Sequence, residues 1–117
     1  MALDISERKQ TMSDDIQQKI QAEIDSSPVV LFMKGTKDAP QCGFSAQVTQ
    51  VLGAYGVDFK DIDVLADWDI REGIKAFSNW PTIPQLYVNG EFIGGCDITM
   101  EMHRKGNLEE ILNKAKG

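Results

Sequence analysis

The chain has 117 residues, 42% hydrophobic and 26% charged, with a formal net charge of −6. That length suits one domain with one modest core, and the acidic balance excludes a general ligand for nucleic acid or an anionic membrane surface. No apolar run approaches the roughly 20 residues that span a bilayer, and with only two cysteines a thiol or metal role outranks a structural disulfide.

Residues 1–12 are polar and lack sustained periodicity; they read as a flexible arm, which leaves 13–117 as the domain. Asp4, Glu7, Asp14 and Asp15 with no apolar stretch form neither a secretory signal nor a transit peptide. A cytoplasmic location is expected, and an organellar protein stripped of its transit peptide would look similar. Ser13 is an N-cap, Asp14 and Asp15 complement the positive helix end, and Ile16, Ile20 and Ile24 recur every fourth residue to about Asp25. Val29–Met33 is a short apolar run that reads as a strand buried on both faces.

Lys34–Gln41 is a loop by composition. Helical periodicity resumes at Phe44, Val48, Val51, Leu52 and Tyr55, and Gly56 supplies the stop. Val57–Val64 alternates as a second strand, and Asp67 caps a third helix that buries Ile70, Ile74 and Phe77. Asn89–Gly90 between "QLYV" and "EFIG" is a type I′ hairpin signal. Cys96–Asp97 starts a fourth helix through Arg104, closed by Gly106, and Asn107 with Glu110 forms a capping-box pattern for a last helix burying Leu108, Ile111 and Leu112. The expected fold is α/β. The first β-α-β is a right-handed parallel crossover, the hairpin adds two antiparallel strands, and helices cover both faces of a four-stranded mixed sheet.

Cys42 ends the loop before the second helix, where unpaired N–H groups stabilise a thiolate. Lys34 and Lys37 add positive potential, Gly43 permits close approach to the sulfur, and Phe44 anchors the helix start. Ser45, three residues on, cannot resolve a mixed disulfide, so any sulfur attached to Cys42 waits for an external thiol or metal. A buried, inert cysteine is the competing reading. Pro84 begins the third strand; a cis Ile83–Pro84 bond would turn the Ile83 backbone toward the Cys42 loop, and a plain trans proline is equally allowed at a strand start.

The segments "MKGTKDAPQCGFS", "WPTIPQLYVNGEFIGGCDI" and the arginine of "DWDIREGI" are together similar to monothiol glutaredoxins of the CGFS class, over roughly residues 14–115. The order strand, loop, Cys, helix resembles the thioredoxin fold. That resemblance implies a site for glutathione. Lys34 and Arg71 would meet its glycyl carboxylate, the latter bidentately. The Ile83 backbone, with Pro84 cis, would pair with the cysteinyl unit. The N–H groups of Cys96 and Asp97 would take the glutamyl carboxylate, and the Asp97 side chain the ammonium. Lys37, Lys75 and Thr82 are further candidates near the same groove, with Trp80 and Gly95 as structural neighbours.

Seen without the resemblance, Lys34 and Arg71 are ordinary solvated charges, Asp97 an N-cap and Cys96 a buried thiol rather than a metal ligand. His103 is a surface residue, and Met100 and Met102 are ordinary helix residues.

Three functions are open on this basis. The resemblance favours a carrier: two copies, each giving Cys42, hold a [2Fe–2S] cluster with two glutathiones at a homodimer interface and pass it to apoproteins. The alternative is a weak glutathione-dependent oxidoreductase in which Cys42 attacks mixed disulfides. The third is a non-catalytic adaptor for a BolA-like partner.

Overall fold

All five residues of the strand Val29–Met33 are buried. Its side chains alternate between two separate apolar clusters, as the two-residue period of a strand requires. Val29, Leu31 and Met33 join Val48, Leu52, Phe59, Leu86, Leu108 and Leu112. Val30 and Phe32 join Ile20, Ile24, Ile70, Ile74 and Tyr87 on the opposite face. A strand that is apolar on both faces needs helices above and below it, and the rest of the chain supplies them.

The computed structural model describes residues 5–116, with side chains for 14–115. In chain order the elements are α1 (Ile5–Asp25), β1 (Val29–Met33), β2 (Gly35–Thr36), β3 (Ala39–Pro40), α2 (Gly43–Ala54), β4 (Lys60–Asp63), α3 (Trp68–Ser78), β5 (Gln85–Val88), β6 (Glu91–Gly94), α4 (Cys96–Lys105) and α5 (Asn107–Lys116). The main sheet has the order β4-β1-β5-β6. β1 pairs parallel with β4 and antiparallel with β5, and β5 pairs antiparallel with β6. This is the expected four-stranded mixed sheet. One cluster packs it against α1 and α3, the other against α2, α4 and α5.

Several boundaries differ from the sequence expectation. Helix α1 begins at Ile5, so Ser13 lies inside the helix and not at its cap. Good helix formers before it (Glu7, Arg8, Lys9, Gln10, Met12) extend the element backward. The part of the expected arm in residues 1–4 lies outside the described residues. β4 covers only Lys60–Asp63; Val57 and Phe59 are buried without being in the ladder. The Lys34–Gln41 loop contains a two-rung ladder, Gly35 against Pro40 and Thr36 against Ala39. Asn107 is the first helical residue of α5, and the left-handed Gly106 before it closes α4. The hairpin is as expected, with positive φ at both Asn89 and Gly90.

β1, β4 and β6 all run in one direction, so the loops after them meet at one end of the sheet. Cys42, the 80–84 turn and the start of α4 come together there.

Candidate functional site

Cys42 occupies the N-cap position of α2 in extended conformation, φ −150° and ψ 136°. Its carbonyl accepts the Ala46 N–H at 2.9 Å, which opens the helix. The free N–H groups of the first turn face its sulfur. The Sγ atom closes no formed capping hydrogen bond, yet those amides hold its thiol below the ordinary range. The Ser45 N–H acts most strongly; partial burial opposes it, and the Phe44 N–H, the Lys34 charge and the Ser45 hydroxyl add to the lowering. Cys42 is half-buried. An inert core cysteine has neither that acidity nor that access.

Ser45 is fully buried. Its hydroxyl oxygen accepts the Lys34 N–H at 3.2 Å, which joins the end of β1 to the first turn of α2. A serine here therefore does more than stand where a second thiol would: it fixes the residue whose charge faces Cys42.

The second wall is the turn before β5. The Ile83–Pro84 peptide is cis. Gln85, also fully buried, donates from Nε2 to the carbonyls of Trp80 (3.1 Å) and Thr82 (3.2 Å), and its Oε1 accepts from the Tyr87 hydroxyl at 3.2 Å. One amide thus staples the whole turn. Nothing in the strand pattern singled Gln85 out, although a glutamine inside an apolar strand was the available signal.

The third wall is the start of α4. Gly95 lets it approach, since a Cβ there would lie 3.1 Å from Trp80 Nε1 and 3.3 Å from the Pro84 carbonyl oxygen. Cys96 is buried and its thiol donates to Gln47 Oε1 at 3.3 Å. Burial, then the neighbouring Asp97 and Cys42, push that thiol upward. The two cysteines are thus driven apart: Cys42 toward thiolate, Cys96 toward the protonated form. The N-cap of α4 is Gly95; Asp97 is the second helical residue, exposed, and not the cap.

These walls enclose an open groove of about 430 Å³, lined among others by Lys34, Cys42, Thr82, Ile83, Cys96 and Asp97, a size usual for small-molecule sites. Phe44, Trp80, Pro84 and Gly95 also line it. Three expected residues lie outside it. The Arg71 guanidinium lies over the Trp68 ring, 5.3 Å from its centroid. Lys75 pairs with Glu72 at 3.0 Å. Lys37 donates from Nζ to the Phe59 carbonyl at 2.7 Å and sits over the Phe59 ring, so its charge is turned to the far side of the loop. His103 faces the Tyr55 hydroxyl from Nδ1 at 2.6 Å, and Met100 and Met102 pack against the core.

Among the described residues no helix is long and apolar enough to cross a membrane. The family model described as Glutaredoxin matches residues 29–93. An uncharacterized ycf64-like monothiol glutaredoxin of Synechocystis sp. is 52% identical over 89% of this chain and 97% of its own length. The mitochondrial monothiol glutaredoxin-5 of Lachancea kluyveri is 54% identical over 89% of this chain and 75% of its own. Among solved structures, reduced apo poplar GrxS14 superposes with a TM-score of 0.79 at 46% identity, covering 90% of this chain and 96% of that one. A buckwheat glutaredoxin–glutathione complex superposes at 0.81 with 28% identity, covering 91% and 94%.

Proposed function

Because this chain belongs to the glutaredoxin family, in its monothiol branch, we propose that it binds glutathione beside Cys42 and, as two copies, carries a [2Fe–2S] cluster to apoproteins. The observation that carries this reading is Cys42 itself, an accessible thiol poised toward thiolate at a helix N-terminus. A cytoplasmic or organellar-matrix location goes with it, since such a thiol needs a reducing compartment.

Glutathione brings two carboxylates, one ammonium, a peptide edge and a thiol. Lys34 takes the glycyl carboxylate, and Arg71, which has no ion-pair partner among the described residues, reaches it by leaving Trp68. The Ile83 backbone pairs with the cysteinyl unit. The N–H groups at the start of α4 receive the glutamyl carboxylate, and the exposed Asp97 carboxylate its ammonium. Thr82 lines the same wall. The Trp80 indole N–H is buried without a partner among the described residues, an unmet donor beside the groove. The glutathione complex of the buckwheat relative supports the ligand.

The cluster is cargo, and the donor set fits a shared cargo only. A [2Fe–2S] centre is normally held by four thiolates. This chain has two cysteines, one of them buried and held protonated. Among the described residues no group of three His, Cys, Asp or Glu side chains could hold a metal ion. Two copies of Cys42 and two glutathione thiols complete the count. Large side chains at this end of the sheet are left exposed: Phe44, Leu65, Trp68 and Ile98, an apolar rim for a second copy, a BolA-like partner or a client apoprotein.

Anaerobic reconstitution with glutathione, ferrous iron and sulfide tests the reading. It should give visible charge-transfer absorption and a dimer mass under native conditions, and Cys42→Ser should lose both. The depressed Cys42 thiol also favours a second reading, glutathione-dependent disulfide exchange. There the Cys42 thiolate attacks the glutathionyl sulfur of a mixed disulfide, and the client thiolate leaves and takes a proton from water. A second glutathione thiolate then attacks the Cys42 disulfide, releasing oxidised glutathione. A colourless monomer with brisk turnover of such substrates would select it.

A further inference from the structure

The 34–41 loop, which leads from β1 to Cys42, is strapped to β4, an edge strand of the sheet. Asp63 Oδ1 accepts two amides at once, Gly35 N–H at 2.9 Å and Leu65 N–H at 2.9 Å. Asp61 Oδ2 accepts the Lys37 N–H at 2.8 Å. Lys37 Nζ donates to the Phe59 carbonyl at 2.7 Å. Three alternate residues, 59, 61 and 63, therefore hold the loop at two points, Lys37 and Gly35. None of the three contacts lies in the glutathione groove.

Their effect converges on Lys34. Its N–H is taken by Ser45 Oγ, its carbonyl accepts the Gln41 N–H at 2.9 Å, and the next amide, Gly35 N–H, is taken by Asp63. The Lys34 N–H, its carbonyl and the next amide each have a fixed partner, which sets the direction of its Cα–Cβ bond, and the side chain lines the groove with Cys42. Two of those anchors belong to the loop and to α2. The third comes from the sheet edge, at the residue that follows Lys34.

We propose that Asp63 is a positioning residue for the Lys34–Cys42 pair, holding the loop against the sheet so that the Lys34 ammonium stays beside the thiol. Asp61 assists through Lys37. The carboxylate acts as a hydrogen-bond acceptor for two amides and not through its charge. This inference rests on the proposed site for its ligand readout, though not for its thiol readout.

The test is a double-mutant cycle. The rate of Cys42 alkylation by iodoacetamide is followed against pH in Cys96→Ser protein, with glutathione affinity measured by calorimetry. Lys34, Cys96 and Asp97 are the other charged or titratable groups lining the groove. Lys34→Gln should raise the alkylation midpoint and weaken glutathione about two- to five-fold. Asp63→Ala should move both in the same direction by no more than that, and should add nothing in the Lys34→Gln background. Asp63→Asn, which keeps an oxygen for both amides, should behave as the parent.

A folded Asp63→Ala protein with an unmoved midpoint overturns the proposal. So does an Asp63→Asn protein as impaired as Asp63→Ala, or an Asp63 effect that persists without Lys34. Should Asp63→Ala fail to fold, Asp61→Ala must show the same direction at smaller size, and no change there overturns it equally. A parent protein that ignores glutathione while Asp63→Ala still shifts the midpoint would sink the glutathione site and leave the positioning role standing.

Discussion

The hydroxyl of Ser45 accepts the Lys34 N–H at 3.2 Å, across a separation of eleven residues and inside a fully buried pocket for the serine. Removing it leaves a part-buried amide without a partner. Ser45→Ala should therefore cost about 1–3 kcal/mol of stability, read as a lowered urea midpoint at unchanged slope. Its direct effect on Cys42 acidity should be small, because the hydroxyl contributes least among the causes that lower that thiol. A stable Ser45→Ala protein would show that the hydroxyl is not a structural tie.

The strongest influence on Cys42 is the Ser45 backbone N–H, with the Phe44 N–H next among the groups that lower it; the Lys34 charge follows. Backbone donors survive side-chain replacement. The folded thiol is thus held below the ordinary cysteine range, and the thiolate fraction at neutral pH exceeds that of an unfolded chain. Lys34→Gln should raise the alkylation midpoint yet leave it below that of urea-unfolded protein. A midpoint that returns all the way to the unfolded value would place the acidity in the lysine and not in the helix end.

Gly73 lies where α3 meets α1. A Cβ there would stand 2.4 Å from Ile16 Cγ2 and 3.0 Å from Ile20 Cδ1, while Gln17 Nε2 donates to the Gly73 carbonyl at 3.1 Å. Alanine gains about 1 kcal/mol of helix propensity over glycine. The contact costs more, since Ile16 is β-branched and stiff at χ1 and overpacking costs about 1–3 kcal/mol. Gly73→Ala should lower the thermal midpoint with glutathione affinity unchanged, because the groove lies elsewhere. An unchanged or higher midpoint would mean that α1 shifts freely on α3.

Features that are local in sequence were legible. The β1 run, the Asn89–Gly90 turn, the Asp67 cap and Cys42 at a helix start each follow from a few adjacent residues. Partnerships between distant residues were not. Asp61 and Asp63 look like the polar half of an alternating strand, and only the folded chain sets them under amides 24 and 28 residues away. Gln85 looks like one polar residue in an apolar strand, yet it holds the turn that walls the groove. Arg71 was expected at the groove on the strength of its motif, and the structure lays it on Trp68. A flexible cation finds its resting partner by proximity, which a one-dimensional pattern does not encode. Ser13 was a plausible cap, but capping preference is outweighed when good helix formers precede it.

Asp67 caps α3, its Oδ1 accepting the amides of Asp69 (3.0 Å) and Ile70 (3.2 Å), while Oδ2 accepts from Lys19 Nζ at 3.1 Å. The Ile70 amide, then Lys19, hold its carboxyl below the usual range against a small opposing effect of burial. A depressed carboxyl stabilises the fold in its ionised form. Its contribution is present above the unfolded value of about 3.9 and is lost as pH falls through the lower folded value. Asp67→Ala should cost about 1 kcal/mol at neutral pH. Asp67→Asn keeps an N-cap oxygen and loses the Lys19 pair, which is exposed and worth less than about 1 kcal/mol. The decisive measurement is the urea midpoint from pH 6 to pH 2. The parent should lose stability more steeply than Asp67→Asn below about pH 4, so that the two curves converge in acid. Parallel curves would show that the cap acts as a neutral acceptor and that the Lys19 charge adds nothing to the junction of α1 and α3.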